Sequence, residues 1–207
     1  MINSLLLDEI EQMNRAATDR GAGDLVSLEE GLEVPEADLG LFFRNIPGPK
    51  MLDIGCGWGR YVNRFVERDM DYTGIDYSPV MLQQARTANP EQLFVKANYH
   101  ETGFEDESFD GIWGCCTFSA EPKCRVPEAL AELRRILTPE GILFLVLPQS
   151  YERREYIGNV NPVLGRMYHS LWEHMEFGQA LIDAGFKIMY TTQRFECGSM
   201  TFIVQKN

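Results

Sequence analysis

An apolar run that ends in glycines at alternate positions leaves a chain few ways to fold. Met51-Leu52-Asp53-Ile54 runs into Gly55-Cys56-Gly57-Trp58-Gly59, and a second apolar run ends in Gly74-Ile75-Asp76, which puts Asp76 21 residues after Gly55. In a βαβ unit such glycines let the backbone come close to a ligand. An acid at the tip of the next strand can then grip the two hydroxyls of a ribose. Both halves of that signal stand at the required spacing, so the expected ligand contains a nucleoside.

The dinucleotide pattern Gly-x-Gly-x-x-Gly places a pyrophosphate at a helix N-terminus. Here the pattern is Gly55-x-Gly57-x-Gly59, and Asp53 precedes it by two residues. A carboxylate at that point opposes a pyrophosphate and suits a ligand that carries an ammonium group. S-adenosylmethionine meets the description, with its ribose, adenine, sulfonium and amino-acid tail. At these residues the chain resembles the class I S-adenosylmethionine-dependent methyltransferases, in particular their small-molecule type, over roughly residues 48–207. Met51 to Gly59 resembles the family's first motif, and Thr73-Gly-Ile-Asp76-Tyr77-Ser-Pro-Val-Met81 the second. Ala97-Asn98-Tyr99, with Phe104 and Ser108-Phe109-Asp110, resembles the adenine-side segment. Leu133 to Gly141 resembles the turn before the fifth strand. The resemblance implies a cofactor set of Asp53, Gly55, Cys56, Gly57, Gly59, Asp76, Tyr77, Met81, Asn98, Tyr99 and Cys115, with Asp76 on the ribose.

The chain departs from the family in three places. Asn98 stands where Asp is common, and an amide oxygen still accepts from an adenine amino group. The turn reads Thr138-Pro-Glu-Gly141 where Arg-Pro-Gly-Gly is usual. Gly114-Cys-Cys-Thr-Phe118 replaces the Asp/Asn-Pro-Pro-Tyr/Phe of enzymes that methylate base amines, which argues against that substrate. Each residue also has a plainer reading. Asp53 alone suits a helix-start acid, Asp76 an N-cap for the helix that Ser78-Pro79 opens, and Met81 core filler.

The net charge of −12, with ten acids against four bases in the first 50 residues, opposes nucleic acid or an anionic membrane as the main partner. Cysteines 56, 115, 116, 124 and 197 form an odd set without a Cys-x-x-Cys pair. Reduced thiols in a cytoplasm are the simplest account, with neither disulfide framework nor metal site. Leu5-Leu6-Leu7 is too short for a leader, and no apolar run approaches the ~20 residues of a membrane span. The oligomeric state is not legible.

The expected fold is α/β: a Rossmann-like three-layer sandwich with a mostly parallel seven-stranded sheet and an antiparallel last strand, preceded by an N-terminal helical arm. Residues 1–47 form that arm, which the resemblance implies covers the cofactor as a lid, and 48–207 form the methyltransferase domain. Within the arm, helices are expected over 3–18 and 36–44, with a flexible break at 19–24 around Gly21 and Gly23. Strands are expected at 50–54, 71–75, 92–97, 109–114 and 142–147. Helices are expected at 59–68 with Tyr61, Val62, Phe65 and Val66 inward, and at 79–88, 127–137 and 173–184. A hairpin, 186–191 with 199–204, closes the chain.

Residues 148–172 show no regular pattern and follow strand five, whose C-terminal end faces the ligand crevice of an open α/β sheet. They are the expected substrate-side insertion, with Tyr151, Tyr168 and Trp172 as candidate acceptor contacts, or else a surface excursion with aromatics docked on the core. Methyl transfer from a sulfonium is an in-line displacement that needs alignment above all. A base is required only where the acceptor must lose a proton, and His169 is the candidate. The leading expectation is methyl transfer to a small-molecule acceptor. A protein methyltransferase, a non-catalytic cofactor-binding partner subunit and an NAD-dependent oxidoreductase are the rival readings.

Overall fold

The computed structural model describes residues 4–28, 34–161, 164–196 and 198–207. The arm contributes α1 (Ser4–Leu28) and α2 (Glu36–Asn45). The sheet then opens with β1 (Lys50–Ile54), α3 (Val62–Val66), β2 (Asp71–Asp76), α4 (Pro79–Ala88) and β3 (Leu93–Lys96). It continues with β4 (Phe109–Cys115), α5 (Val126–Ile136) and β5 (Leu137–Pro148). A separate pair, β6 (Glu155–Asn161) and β7 (Gly165–Ser170), precedes α6 (His174–Asp183), β8 (Phe186–Arg194) and β9 (Ser199–Lys206). The strand order is β3-β2-β1-β4-β5-β9-β8, parallel except where β9 pairs antiparallel with both β5 and β8. That is the expected sheet.

The period-two alternation of side chains along each strand divides the core into two layers. Leu52, Ile54, Ile112, Leu143 and Leu145 pack with α5 and α6, whose Leu130, Leu133, Phe177 and Leu181 are buried. Met51, Trp113, Phe144 and Val146 point to the opposite face, against Leu39 and Phe42 of α2, Phe65 of α3 and Leu82 of α4. Trp113 lies flat on Phe144, centroids 4.3 Å apart. Such a sheet, apolar on both faces, must be covered on both sides.

Three local expectations are corrected. The break at 19–24 is absent: α1 runs unbroken through Gly21 and Gly23 to Leu28. Each glycine costs a helix about 1 kcal/mol relative to alanine, but α1 is packed from Ile10 to Ala22, with Ile10, Ala17 and Ala22 all buried. Arg20 ties its later turns down by donating to the Leu164 carbonyl at 2.9 Å. The helix expected over 59–68 shrinks to α3, because the positive-φ turns at Gly55, Gly57 and Gly59 occupy the chain ahead of it. Val66 is then exposed rather than inward. Finally, the patternless stretch 148–172 holds a hairpin in which Tyr156 faces His169 and Ile157 faces Tyr168. Among the described residues no helix is long and apolar enough to cross a membrane.

Candidate cofactor and acceptor site

The parallel strands β1, β2 and β4 end together, and their last residues meet one cavity of about 230 Å3. Gly55 and Gly57 form its floor after β1. Asp76 and Tyr77 follow β2, Ala97, Asn98 and Tyr99 follow β3, and Cys115, Cys116 and Thr117 follow β4; Met81 of α4 completes this side. A smaller cavity of about 60 Å3 adjoins it, lined by Asp53, Cys56, Arg60 and Tyr61, and shares Gly55, Gly57, Cys115 and Cys116 with the first.

Asp76 is held rigidly at the edge of the floor. Its Oδ2 accepts from the Gly57 N–H at 2.9 Å and its Oδ1 from the Ser78 N–H at 2.8 Å. Burial raises its pKa, and the bonds from Ser78 and Gly57 act in the opposite direction. The plainer reading of Asp76 as an N-cap falls instead to Ser78, whose Oγ accepts from the Met81 N–H of α4. Asp53 is buried and accepts from the Tyr72 hydroxyl at 2.9 Å. Desolvation of that hydroxyl, with Asp53 beside it, pushes the Tyr72 pKa well up, so it stays a donor.

The glycines divide by role. A Cβ at Gly57 (φ +53°) would meet nothing within 4 Å, so this position opens on the cavity. A Cβ at Gly59 (φ +82°) would meet Asn89 Nδ2 at 2.8 Å, and Gly59 lines neither cavity. Its smallness serves the packing of the turn against α4 and β3.

The far side is a roof from distant parts of the chain. Leu7, Ile10, Glu11, Asn14 and Thr18 come from α1, Met167 from β7 with Leu164 just before it, and Ser119 to Pro122 and Arg125 from the 3-10 turns after β4. Asn14, itself buried, joins all three: its Nδ2 donates to the Ala120 carbonyl at 2.8 Å and its Oδ1 accepts from the Tyr168 N–H at 2.8 Å. Asn98 joins floor to roof. Its Oδ1 accepts from the His100 N–H and its Nδ2 donates to Glu11 at 3.3 Å, which sets the orientation of the amide. Thr18 and Tyr77 hydroxyls meet at 3.3 Å. The Tyr77 pKa is pushed up to about 12 by burial.

Of the residues expected to contact the acceptor, none lines either cavity. Tyr151 is exposed and stacks on Phe195. Tyr168 is buried with its hydroxyl on Glu155, and Trp172 is buried with its Nε1 donating to the Phe118 carbonyl at 3.3 Å. His169 stacks on Tyr156 across the hairpin, and burial lowers its pKa. Glu11, Asn14, Glu121, Arg125 and Met167, which do line the cavity, were not singled out in the sequence. The available signal was the position of 117–122 just after a parallel strand, at the ligand end of the sheet. Among the described residues Cys56, Cys115, Cys116 and Cys124 take part in no disulfide, and no group of three or more metal-ligating side chains occurs.

A seven-stranded sheet ending in an antiparallel strand, with a glycine turn and an acid at its ligand edge, defines the class I methyltransferase fold. Residues 52–145 match the model of the methyltransferase domain family. An uncharacterized methyltransferase of Mycobacterium tuberculosis is 30% identical over 117 residues, 56% of this chain and 47% of that protein. A malonyl-[acyl-carrier protein] O-methyltransferase of Erwinia pyrifoliae is 33% identical over 101 residues, 48% of this chain and 38% of its own. These matches span less than half the length of either curated relative. In fold, the chain is similar to Burkholderia thailandensis 1,6-didemethyltoxoflavin-N1-methyltransferase, solved with 1,6-didemethyltoxoflavin and S-adenosylhomocysteine. The TM-score is 0.75 at 19% identity, with 97% of this chain and 90% of that one covered. Residues 52–145 thus match a methyltransferase domain, set in a chain whose fold is that of the class I S-adenosylmethionine-dependent methyltransferases.

Proposed function

We propose that the protein transfers a methyl group from S-adenosylmethionine to a small-molecule acceptor enclosed between the sheet and the roof. The observation that carries this reading is the continuity of the cavity: one wall holds Asp76 and the Gly55–Gly57 turn, and the other is α1, β7 and the segment after β4. The first wall fits the cofactor. Asp76 takes the ribose hydroxyls, and its two backbone bonds keep the carboxylate from turning away. Asp53, Cys56 and the smaller cavity take the amino-acid tail, with the Asp53 carboxylate suited to its ammonium. The open space above Gly57 is where the ligand lies against the backbone. Tyr77, Met81, Asn98 and Tyr99 flank the adenine, and Cys115 sits at the junction of the two cavities. Gly59 contributes by shaping the turn.

The cofactor, when bound, supplies a methyl group already activated by a sulfonium. What remains for the chain is to hold the acceptor in line with it and to exclude water. The roof does both, so within the arm α1 acts as cover for the domain, while α2 belongs to the layer packed on the sheet. A small acceptor is favoured by the enclosure, since α1 and Met167 of β7 stand over the cavity. The relative solved with 1,6-didemethyltoxoflavin and S-adenosylhomocysteine is similar in fold.

Calorimetry with S-adenosylhomocysteine tests the cofactor half. Charge-assisted bonds are worth about 1.5–3 kcal/mol each, so Asp76→Ala should weaken binding at least about tenfold. Unchanged affinity in a folded variant removes Asp76 from the site. A screen of small metabolites for uptake of isotopically labelled methyl groups tests the acceptor half, with the same variant as control.

A further inference from the structure

The acceptor end of the cavity has a charge pattern that the cofactor does not account for. Once Asp76 is set aside for the ribose, its ionised lining groups are Glu11, Glu121 and Arg125. Arg125 is already surrounded by carboxylates: Glu11 Oε2 at 3.5 Å, Glu121 Oε1 at 3.7 Å and Glu128 Oε2 at 3.9 Å. These carboxylates outnumber its single positive charge, and the compartment is net negative.

Glu121 is the focus. It is 8% exposed and follows the 3-10 turn after β4, so it is built into the wall rather than waving from the surface. Its backbone carbonyl accepts from the Ser170 hydroxyl of β7, which fixes the segment. Oε1 is sealed from solvent, between Arg125 and His100, whose Nε2 lies 3.0 Å away outside hydrogen-bond geometry. Oε2 accepts from the Tyr99 hydroxyl at 2.7 Å. Burial and the Glu121 charge push the Tyr99 pKa well above the usual range, so Tyr99 donates to Glu121 rather than competing as an anion. A carboxylate oxygen holds two acceptor directions, and Oε2 therefore keeps one for a ligand.

We infer that Glu121, supported by Glu11, is the acceptor-recognition group, and that the acceptor presents an N–H or O–H donor on a neutral or cationic molecule. This rests on the methyltransferase reading above and adds the substrate class. A carboxylate or phosphate acceptor would meet two carboxylates against one arginine whose charge three carboxylates share. A donor meets a rigid, buried, charged acceptor, the arrangement that rewards a hydrogen bond most and penalises its absence.

The test uses the full chain saturated with S-adenosylhomocysteine and three probes of one shape: benzylamine, benzyl alcohol and benzoate, titrated by ligand-observed NMR at neutral pH. Benzylamine should bind at least about tenfold more tightly than benzoate, with benzyl alcohol between them. Glu121→Gln, which keeps the side-chain shape, should reduce the preference to about threefold or less while its S-adenosylhomocysteine affinity stays within about twofold of wild type. Glu11→Gln, on the more open side of α1, should narrow the preference by a smaller factor and provides a reading should Glu121→Gln not fold. The inference is overturned if benzoate binds as tightly as benzylamine, if no probe binds at millimolar concentration, or if the preference survives both substitutions. Failure of wild-type protein to bind S-adenosylhomocysteine would instead sink the methyltransferase reading. The probe order can then still be read without the cofactor product.

Discussion

The floor and the roof of the cavity are built on different principles. The floor comes from residues 53–99 and the end of β4, all at the tips of adjacent parallel strands, and its key contact joins Gly57 to Asp76, 19 residues apart. The roof is held by contacts across most of the chain: Asn14 reaches Ala120 over 106 residues and Tyr168 over 154. A floor of this kind is dictated by local backbone geometry and cannot change without losing the turn itself. A roof of side chains on a helix, a hairpin and a 3-10 turn can be altered piece by piece while the sheet stands. That separation suits a catalyst whose cofactor is constant and whose acceptor differs from one relative to the next.

The strongest way to break this comparison is to fill the floor. In Gly57→Val the new Cβ meets no protein atom, so packing is preserved, although a β-branched residue at φ +53° adds strain. The isopropyl group stands where the proposed function puts the ligand. Affinity for S-adenosylhomocysteine should fall at least about 100-fold, a loss near 3 kcal/mol, with near-native circular dichroism. Gly59→Val should do the reverse and destabilise the fold, because its Cβ enters the space of Asn89. If Gly57→Val retains binding, the turn is merely structural and the floor lies elsewhere.

A substitution in the roof should have a milder and more regional effect. Asn14→Ala leaves the Ala120 carbonyl and the Tyr168 N–H without their partner in a buried place. Each orphaned group costs about 1–3 kcal/mol. Exchange in α1 and β7 should accelerate on the order of 30-fold, which corresponds to about 2 kcal/mol. The β1–β4 core should be unchanged, and cofactor affinity should shift by no more than a few-fold. Addition of S-adenosylhomocysteine to wild-type protein should slow exchange in α1 as well as around Asp76, as expected of a cover that closes on its ligand. Protection confined to the floor would show that α1 is a fixed wall.

The same division explains what was legible in the sequence. β1, β2 and α4 are found within a residue of their expected bounds, since Asp71 to Asp76 and Pro79 to Ala88 carry their signals locally: an apolar run, then Ser78-Pro79 as cap and first turn. The cavity-lining positions Asp76, Tyr77 and Met81 lie in that stretch for the same reason, and Asn98 and Tyr99 follow directly on β3. The roof was hidden. Gly21 and Gly23 signal a break in isolation, and only burial of Ala17 and Ala22 against the rest of the molecule reverses it. The β6–β7 hairpin has a half-exposed, polar alternation that resembles a loop until its two strands pair. Tyr168 and His169 are attractive by chemistry, yet the direction of a strand residue depends on register, which sequence spacing alone does not supply. Glu121 and Asn14 belong to no motif and acquire meaning only from their partners.

The smallest expected effect would sharpen the comparison by pH. His169 sits in the roof hairpin, where burial lowers its pKa below the ordinary 6.5, while the described floor positions contain no histidine. When the hairpin opens, the ring regains its ordinary basicity, so the open form binds a proton more readily than the closed one. The sign follows from linkage: closure is undisturbed above about pH 6.5 and is progressively disfavoured as pH falls through that value toward the lowered one. The ring is only half-buried, so solvent screening keeps the effect small, and exchange in β6–β7 should accelerate by roughly threefold between pH 8 and pH 5 after correction for intrinsic rates. His169→Gln should remove this acceleration and leave methyl transfer near the wild-type rate, because the ring stacks on Tyr156 and lines neither cavity. A fall of about 100-fold or more in turnover, with the hairpin's exchange unchanged, would restore His169 as the base and place the acceptor on the hairpin side of the roof.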